Sequence, residues 1–139
     1  MCRVALCRYR VDSLAFLQSA TSGWGSIVTK PFEVAGSELQ VNFEITGSAG
    51  KFQVGVLHEE RERGEMTEVN TLLLFSSLTC LSAGWVTGFE PIESVNVGKG
   101  GIRVLIKWRN KQSLKSLRGQ VIRLQFYIRQ ANLYSFQII

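Results

Sequence analysis

The sequence predicts an all-β protein, a single and mostly antiparallel β-sandwich, and three observations lead there. Seven or eight short apolar segments are separated by turn residues, no stretch shows a convincing long helix, and strict apolar–polar alternation marks residues 38–46, a design that 102–109 and 121–129 repeat. A period of two is what one buried and one wet sheet face requires, and many short strands without long helices pack as a sandwich or barrel. With 139 residues, 45% of them apolar and 19% charged, the chain can bury one core and has the balance of a folded domain.

In chain order, residues 13–18 read as a short strand and Gly23-Trp24-Gly25 as a turn. Residues 26–29 and 32–34 are extended around Pro31, which suits an edge or bend. After the turn at Ala35-Gly36-Ser37 comes the clearest strand: Leu39, Val41, Phe43 and Ile45 on the inner face, and Gln40, Asn42, Glu44 and Thr46 on the outer. Gly47-Ser48-Ala49-Gly50 then reads as a hairpin-like turn into residues 51–57, with Phe52, Val54 and Val56 inward.

The far end repeats the design. Ile102, Val104, Ile106 and Trp108 alternate with Arg103, Leu105, Lys107 and Arg109. A polar stretch at 110–119 accommodates one short turn. Ile122, Leu124, Phe126 and Ile128 then face the core, and Arg123, Gln125, Tyr127 and Arg129 face water. A break at Ala131-Asn132 leads to a last strand over 133–138.

The middle departs from this pattern. Residues 58–68 form a dense charged run, and residues 69–89 carry no charge at all. The second stretch approaches the ~20 residues of a membrane-spanning helix. Its many Ser, Thr and Asn residues and its place between two halves of one sheet pattern disfavour a span. A buried strand or helix, or an apolar loop packed on the sandwich, is the favoured reading.

Charge is also uneven. The net charge is +5; Asp12 is the sole aspartate, and every glutamate lies between Glu33 and Glu93. Beyond Glu93 come Lys99, Arg103, Lys107, Arg109, Lys111, Lys115, Arg118, Arg123 and Arg129 without an acid. Such asymmetry suits either a polyanion surface or a solvated sheet face, the second being the simpler reading. Cys2, Cys7 and Cys80 make no disulfide framework and no paired zinc-binding units. Residues 1–10 lack the apolar core of a secretory signal.

Several segments also carry a resemblance. They are Arg8-Tyr9-Arg10-Val11-Asp12, Ile27-Val28-Thr29-Lys30-Pro31-Phe32, Glu38-Leu39-Gln40-Val41-Asn42 and Lys51-Phe52-Gln53-Val54-Gly55-Val56-Leu57. Gly88-Phe89-Glu90-Pro91-Ile92, Ile106-Lys107-Trp108, residues 117–126 and Leu133-Tyr134-Ser135-Phe136 follow in order. Together they resemble the C-terminal β-sandwich module of glycoside hydrolase family 32-like, five-bladed propeller proteins. The resemblance implies a jelly-roll, concanavalin A-like fold for a single domain over residues 1–139. Its main departure is an atypical insertion at 58–87, about two dozen residues beyond an ordinary hairpin loop of roughly 2–5. In the enzymes that such modules accompany, the cleaving carboxylates sit in the propeller, so the resemblance implies no hydrolase activity here.

The residues themselves point the same way. Glu90 and Glu93 lie three apart in a loop, whereas glycosidase carboxylates face each other across a cleft, roughly 5–10 Å apart. His58 is the only histidine and reads as a strand-end residue. No nucleophile elbow, phosphate loop or dinucleotide fingerprint occurs, and no enzyme activity, metal or cofactor is expected.

Binding is the better expectation. Sugar sites combine an aromatic face with planar polar groups. The candidates are Trp24, Asn42, Arg103, Lys107, Arg123, Gln125 and Tyr127, with Arg103, Lys107, Arg123, Gln125 and Tyr127 expected to share one wet face. Trp108 falls by parity in the core, and Trp24 suits either an exposed loop or a plug at one end. The expected partners are a glycan, neutral or anionic, or a propeller domain. A protein-interaction module using residues 69–89 is the alternative, and nucleic acid is disfavoured because no stacking motif of an RNA-binding fold is present.

Overall fold

Alternation becomes two packed antiparallel sheets in the computed structural model, which describes residues 11–20, 23–59, 84–95, 97–110 and 113–139. The strands are β1 (Leu17–Gln18), β2 (Gly25–Val28), β3 (Phe32–Glu33), β4 (Leu39–Ile45), β5 (Lys51–His58), β6 (Ser94–Val95), β7 (Gly101–Trp108), β8 (Val121–Arg129) and β9 (Ala131–Ile138). One sheet runs β1-β9-β4-β7-β6. In the other, β8 is central, with β2 and β3 on one side and β5 on the other. The fold is the predicted all-β sandwich.

The predicted inner faces of β4, β5 and β8 meet between the sheets. Leu39, Val41, Phe43, Phe52, Val54, Val56, Ile122, Leu124, Phe126 and Ile128 are all buried in one core. Phe43 of one sheet stacks on Phe52 of the other, with centroids 4.1 Å apart and planes at 11°. Trp108 is buried as parity required, and its Nε1 donates to the Val54 carbonyl at 2.9 Å.

Several local expectations change. The turn at 47–50 is no hairpin: β4 pairs with β7 and β9, while β5 pairs with β8, so this turn arches from one sheet to the other. The break expected at Ala131-Asn132 falls one residue earlier, at Gln130, where φ is +43° and the chain passes from β8 into β9 of the opposite sheet. A bend of this kind is how a continuous strand turns a sandwich corner. The strand expected over 13–18 shortens to Leu17–Gln18. The polar stretch at 110–119 holds a single 3-10 turn, Leu114–Leu117, which buries both leucines.

Ile102 is 46% exposed rather than buried. The register explains it: Val41 faces Val104 and Phe43 faces Gly101, so β7 carries one extra residue there, and Arg103 takes φ +55°. A bulge of this kind turns the preceding side chain off its face.

The edge of β5 away from β8 is closed by residues 84–94. Val56 N–H donates to the Phe89 carbonyl, Val86 N–H to the Val56 carbonyl, and His58 N–H to the Gly84 carbonyl. Ser94 Oγ accepts from Val54 N–H at 3.3 Å. Val86 and Phe89, at the end of the uncharged stretch, are buried in the core. Most of the 58–87 insertion, and Cys2, Cys7 and Cys80, lie outside the described residues. Among the described residues no helix is long and apolar enough to cross a membrane.

Candidate functional site

The sheet assignment divides the expected site. Arg103 and Lys107 stand on β7 of one sheet; Arg123, Gln125 and Tyr127 stand on β8 of the other. They therefore belong to two outer faces of the sandwich and not to one wet face. Parity placed the inward rows of β4, β5 and β8, but no periodicity states which sheet a strand joins.

On the β8 side, the outward residues make an aromatic ridge. Tyr127 lies opposite Ser26 of β2 and Gln53 of β5. Trp24, 47% exposed just before β2, meets the Tyr127 ring edge-on at 6.5 Å. From the other side Trp85 approaches Tyr127 at 6.3 Å. Trp85 reaches this position through a bridge to Leu57 and lies over Gly55. A side chain at position 55 would collide with Trp85 and with Pro91, whose Cγ and Cδ lie 2.7 Å from the place a Cβ would occupy. The glycine in mid-strand marks that close approach.

Polar groups accompany the rings. Gln125 sits between Val28 and Gly55, and Arg123 lies opposite Leu57, all on the same face. Arg123 Nε is buried and has no hydrogen-bond partner among the described residues. Tyr127, Gln125 and Arg123 thus share one outer face, and Trp24, which suited either an exposed loop or a plug, stands exposed beside them. Gln53 and Trp85 were missed, Trp85 because it lies in the uncharged stretch that no period could place.

On the β7 side, Asn42 is not on a wet surface. It is 3% exposed, because the segment at 11–12 crosses over β4. Asn42 Nδ2 donates to the carbonyls of Val11 at 2.8 Å and Asp12 at 3.3 Å. Its Oδ1 is buried without a hydrogen-bond partner among the described residues. A buried acceptor left without a donor costs about 1–3 kcal/mol. Asn42 and Arg103 share a pocket of about 260 Å³ with Asp12, Gln40, Ser135, Phe136 and Gln137. Gln137 Nε2 donates to Gln40 Oε1 at 2.8 Å across the β4–β9 pair. Lys107 is outside this pocket, opposite Val95 on the β6–β7 pair.

The carboxylates weighed as an acid–base pair are otherwise engaged. Glu90 Oε2 accepts from Gly88 N–H at 2.9 Å, and Glu93 lies 3.9 Å from the Arg109 guanidinium. His58 ends β5 and is exposed. Among the described residues no group of three His, Cys, Asp or Glu side chains is arranged to hold a metal ion. Comparison with family models, curated protein sequences and solved structures finds no match to this chain.

Proposed function

We propose that the chain is a non-catalytic, carbohydrate-associated β-sandwich module that binds glycan on the outer face of the β2–β8–β5 sheet. The observation that carries this reading is the line of Trp24, Tyr127 and Trp85, flanked by Gln53, Gln125 and Arg123. Sugar rings present apolar C–H faces and equatorial hydroxyls; aromatic rings take the first, and amide or guanidinium groups take the second. Trp24 is the most exposed of the rings and would supply the main stacking surface, with Tyr127 and Trp85 fixing its position. The resemblance to the sandwich of propeller-type glycoside hydrolases supports the same class and adds packing against a propeller as a second use.

Arg123 and Arg129 give this face a positive bias, which favours anionic over neutral glycans. A polyanion stripe such as nucleic acid needs is less well served, since Arg103 and Lys107 stand on one outer face and Arg123 and Arg129 on the other. As for a protein partner on residues 69–89, Val86 and Phe89 are in the core and unavailable to it.

Tryptophan fluorescence reports binding directly, because Trp24 and Trp85 stand at the face while Trp108 is buried. Titration with neutral and sulfated or uronate-containing oligosaccharides should change the emission, and Trp24→Ala should weaken binding about tenfold or more. Affinity for anionic glycans should fall as salt rises. Failure to bind any neutral or anionic glycan sinks direct binding.

A further inference from the structure

The pocket on the opposite sheet has a chemistry of its own, and it does not rest on the aromatic face. Its polar lining side chains come from three strands and the 11–12 segment: Gln40 and Asn42 from β4, Arg103 from β7, Ser135 and Gln137 from β9, and Asp12. We propose that this pocket binds one neutral, polyhydroxylated ring of monosaccharide size.

Four observations converge. First, the sheet is opened at this level from both sides. β7 bulges at Ile102–Arg103, and β9 also carries an extra residue, since Asn42 faces Ser135 while Phe43 faces Leu133. Bulges re-aim side chains and are frequent beside binding sites. Second, Asn42 is more than nine-tenths buried in the lining, and its Oδ1 has no hydrogen-bond partner among the described residues. Third, Asp12 and Arg103 line the same pocket, and no ion pair joins them to each other. Both also hold φ +55°, a conformation that costs a non-glycine residue energy unless its surroundings demand it.

The fourth observation is the balance of charge and size. One carboxylate and one guanidinium cancel, so a net anion meets Asp12 and a net cation meets Arg103. A neutral ring with vicinal hydroxyls satisfies both, donating to the carboxylate and accepting from the guanidinium, while the Gln40–Gln137 amide pair and Ser135 offer further partners. The volume of about 260 Å³ lies below the roughly 300 Å³ where sites for larger organic ligands begin, which suits a single ring.

The test is titration of the whole chain with glucose, galactose, mannose and fructose, beside glucuronate and glucosamine, followed by 1H–15N NMR. One or more neutral sugars should shift and saturate the side-chain amide signals of Gln40, Asn42 and Gln137 and the backbone amide of Arg103. Asp12→Asn and Arg103→Asn remove one charge each while keeping a residue that tolerates positive φ. Both positions are exposed, so the fold should persist, and each variant should weaken binding about tenfold or more. Trp24→Ala should leave these shifts unchanged, which separates this pocket from the aromatic face. Three outcomes overturn the proposal: no saturating shift up to about 10 mM of any neutral sugar, tighter binding of glucuronate than of every neutral sugar, or unaltered affinity in both Asn variants.

Discussion

Gly55 shows how much one absent side chain decides. It points outward from β5, where alternation alone would allow any polar residue, yet Trp85 and Pro91 occupy the space a Cβ would need. Gly55→Ala should therefore destabilise the protein by about 1–3 kcal/mol through overpacking. Urea unfolding followed by tryptophan emission would show both the loss and the displacement of Trp85 from Tyr127. Trp108 is the opposite case, a large side chain fully legible from parity. Its ring is 1% exposed and its Nε1–H meets the Val54 carbonyl. Trp108→Phe keeps an aromatic core residue but leaves that carbonyl without its donor, and should cost about 1–3 kcal/mol in the same assay. Asn42 was placed on the correct side of β4 but in the wrong environment. Periodicity assigns a face; what crosses over that face is a long-range matter.

Among the elements, β5 is the one whose setting was hidden. Its inward residues were evident, but its second edge is covered by backbone and side chains from 84–94, most of it outside any regular strand. An uncovered edge invites pairing with another chain, so this cover also protects against association. Ser94 is its most testable link. Its hydroxyl accepts from Val54 N–H and donates to the Pro91 carbonyl at 2.6 Å, tying the 3-10 turn at Pro91–Glu93 to the strand. Ser94→Ala should speed hydrogen exchange at Val54 by roughly tenfold while Val56, bonded to Phe89, changes little. Equal loss of protection at both amides would mean that the segment opens as one unit. The long strands β4 and β8 were legible because each repeats its alternation over seven or more residues. The two-residue strands β1, β3 and β6 give periodicity almost nothing to work on.

For the whole molecule, stability depends on the seam where the sheets meet. Phe52 stacks on Phe43 and also approaches Phe126 at 6.1 Å, so it touches both sheets at once. Phe52→Ala should cost about 3–5 kcal/mol. That is a large share of the ~5–15 kcal/mol that holds a typical domain together. Denaturant curves from backbone circular dichroism and tryptophan emission should shift together, since neither sheet has a core without the other. The amino-acid sequence by itself determined the all-β class, the inward rows of β4, β5 and β8, and the chemical types on their outer rows, because burial of one face imposes a period of two on each strand. The tertiary structure alone decided how those outer rows were grouped. The turn at 47–50 and the bend at Gln130 each carry the chain from one sheet to the other. A third change of sheet, between β7 and β8, put Arg103 and Lys107 on one outer face and Arg123, Gln125 and Tyr127 on the other, though all five were expected on one. Alternation is a local consequence of strand geometry, whereas sheet membership is set by pairing between segments far apart in the chain, as Asn42 with Ser135 and Gln53 with Tyr127 show.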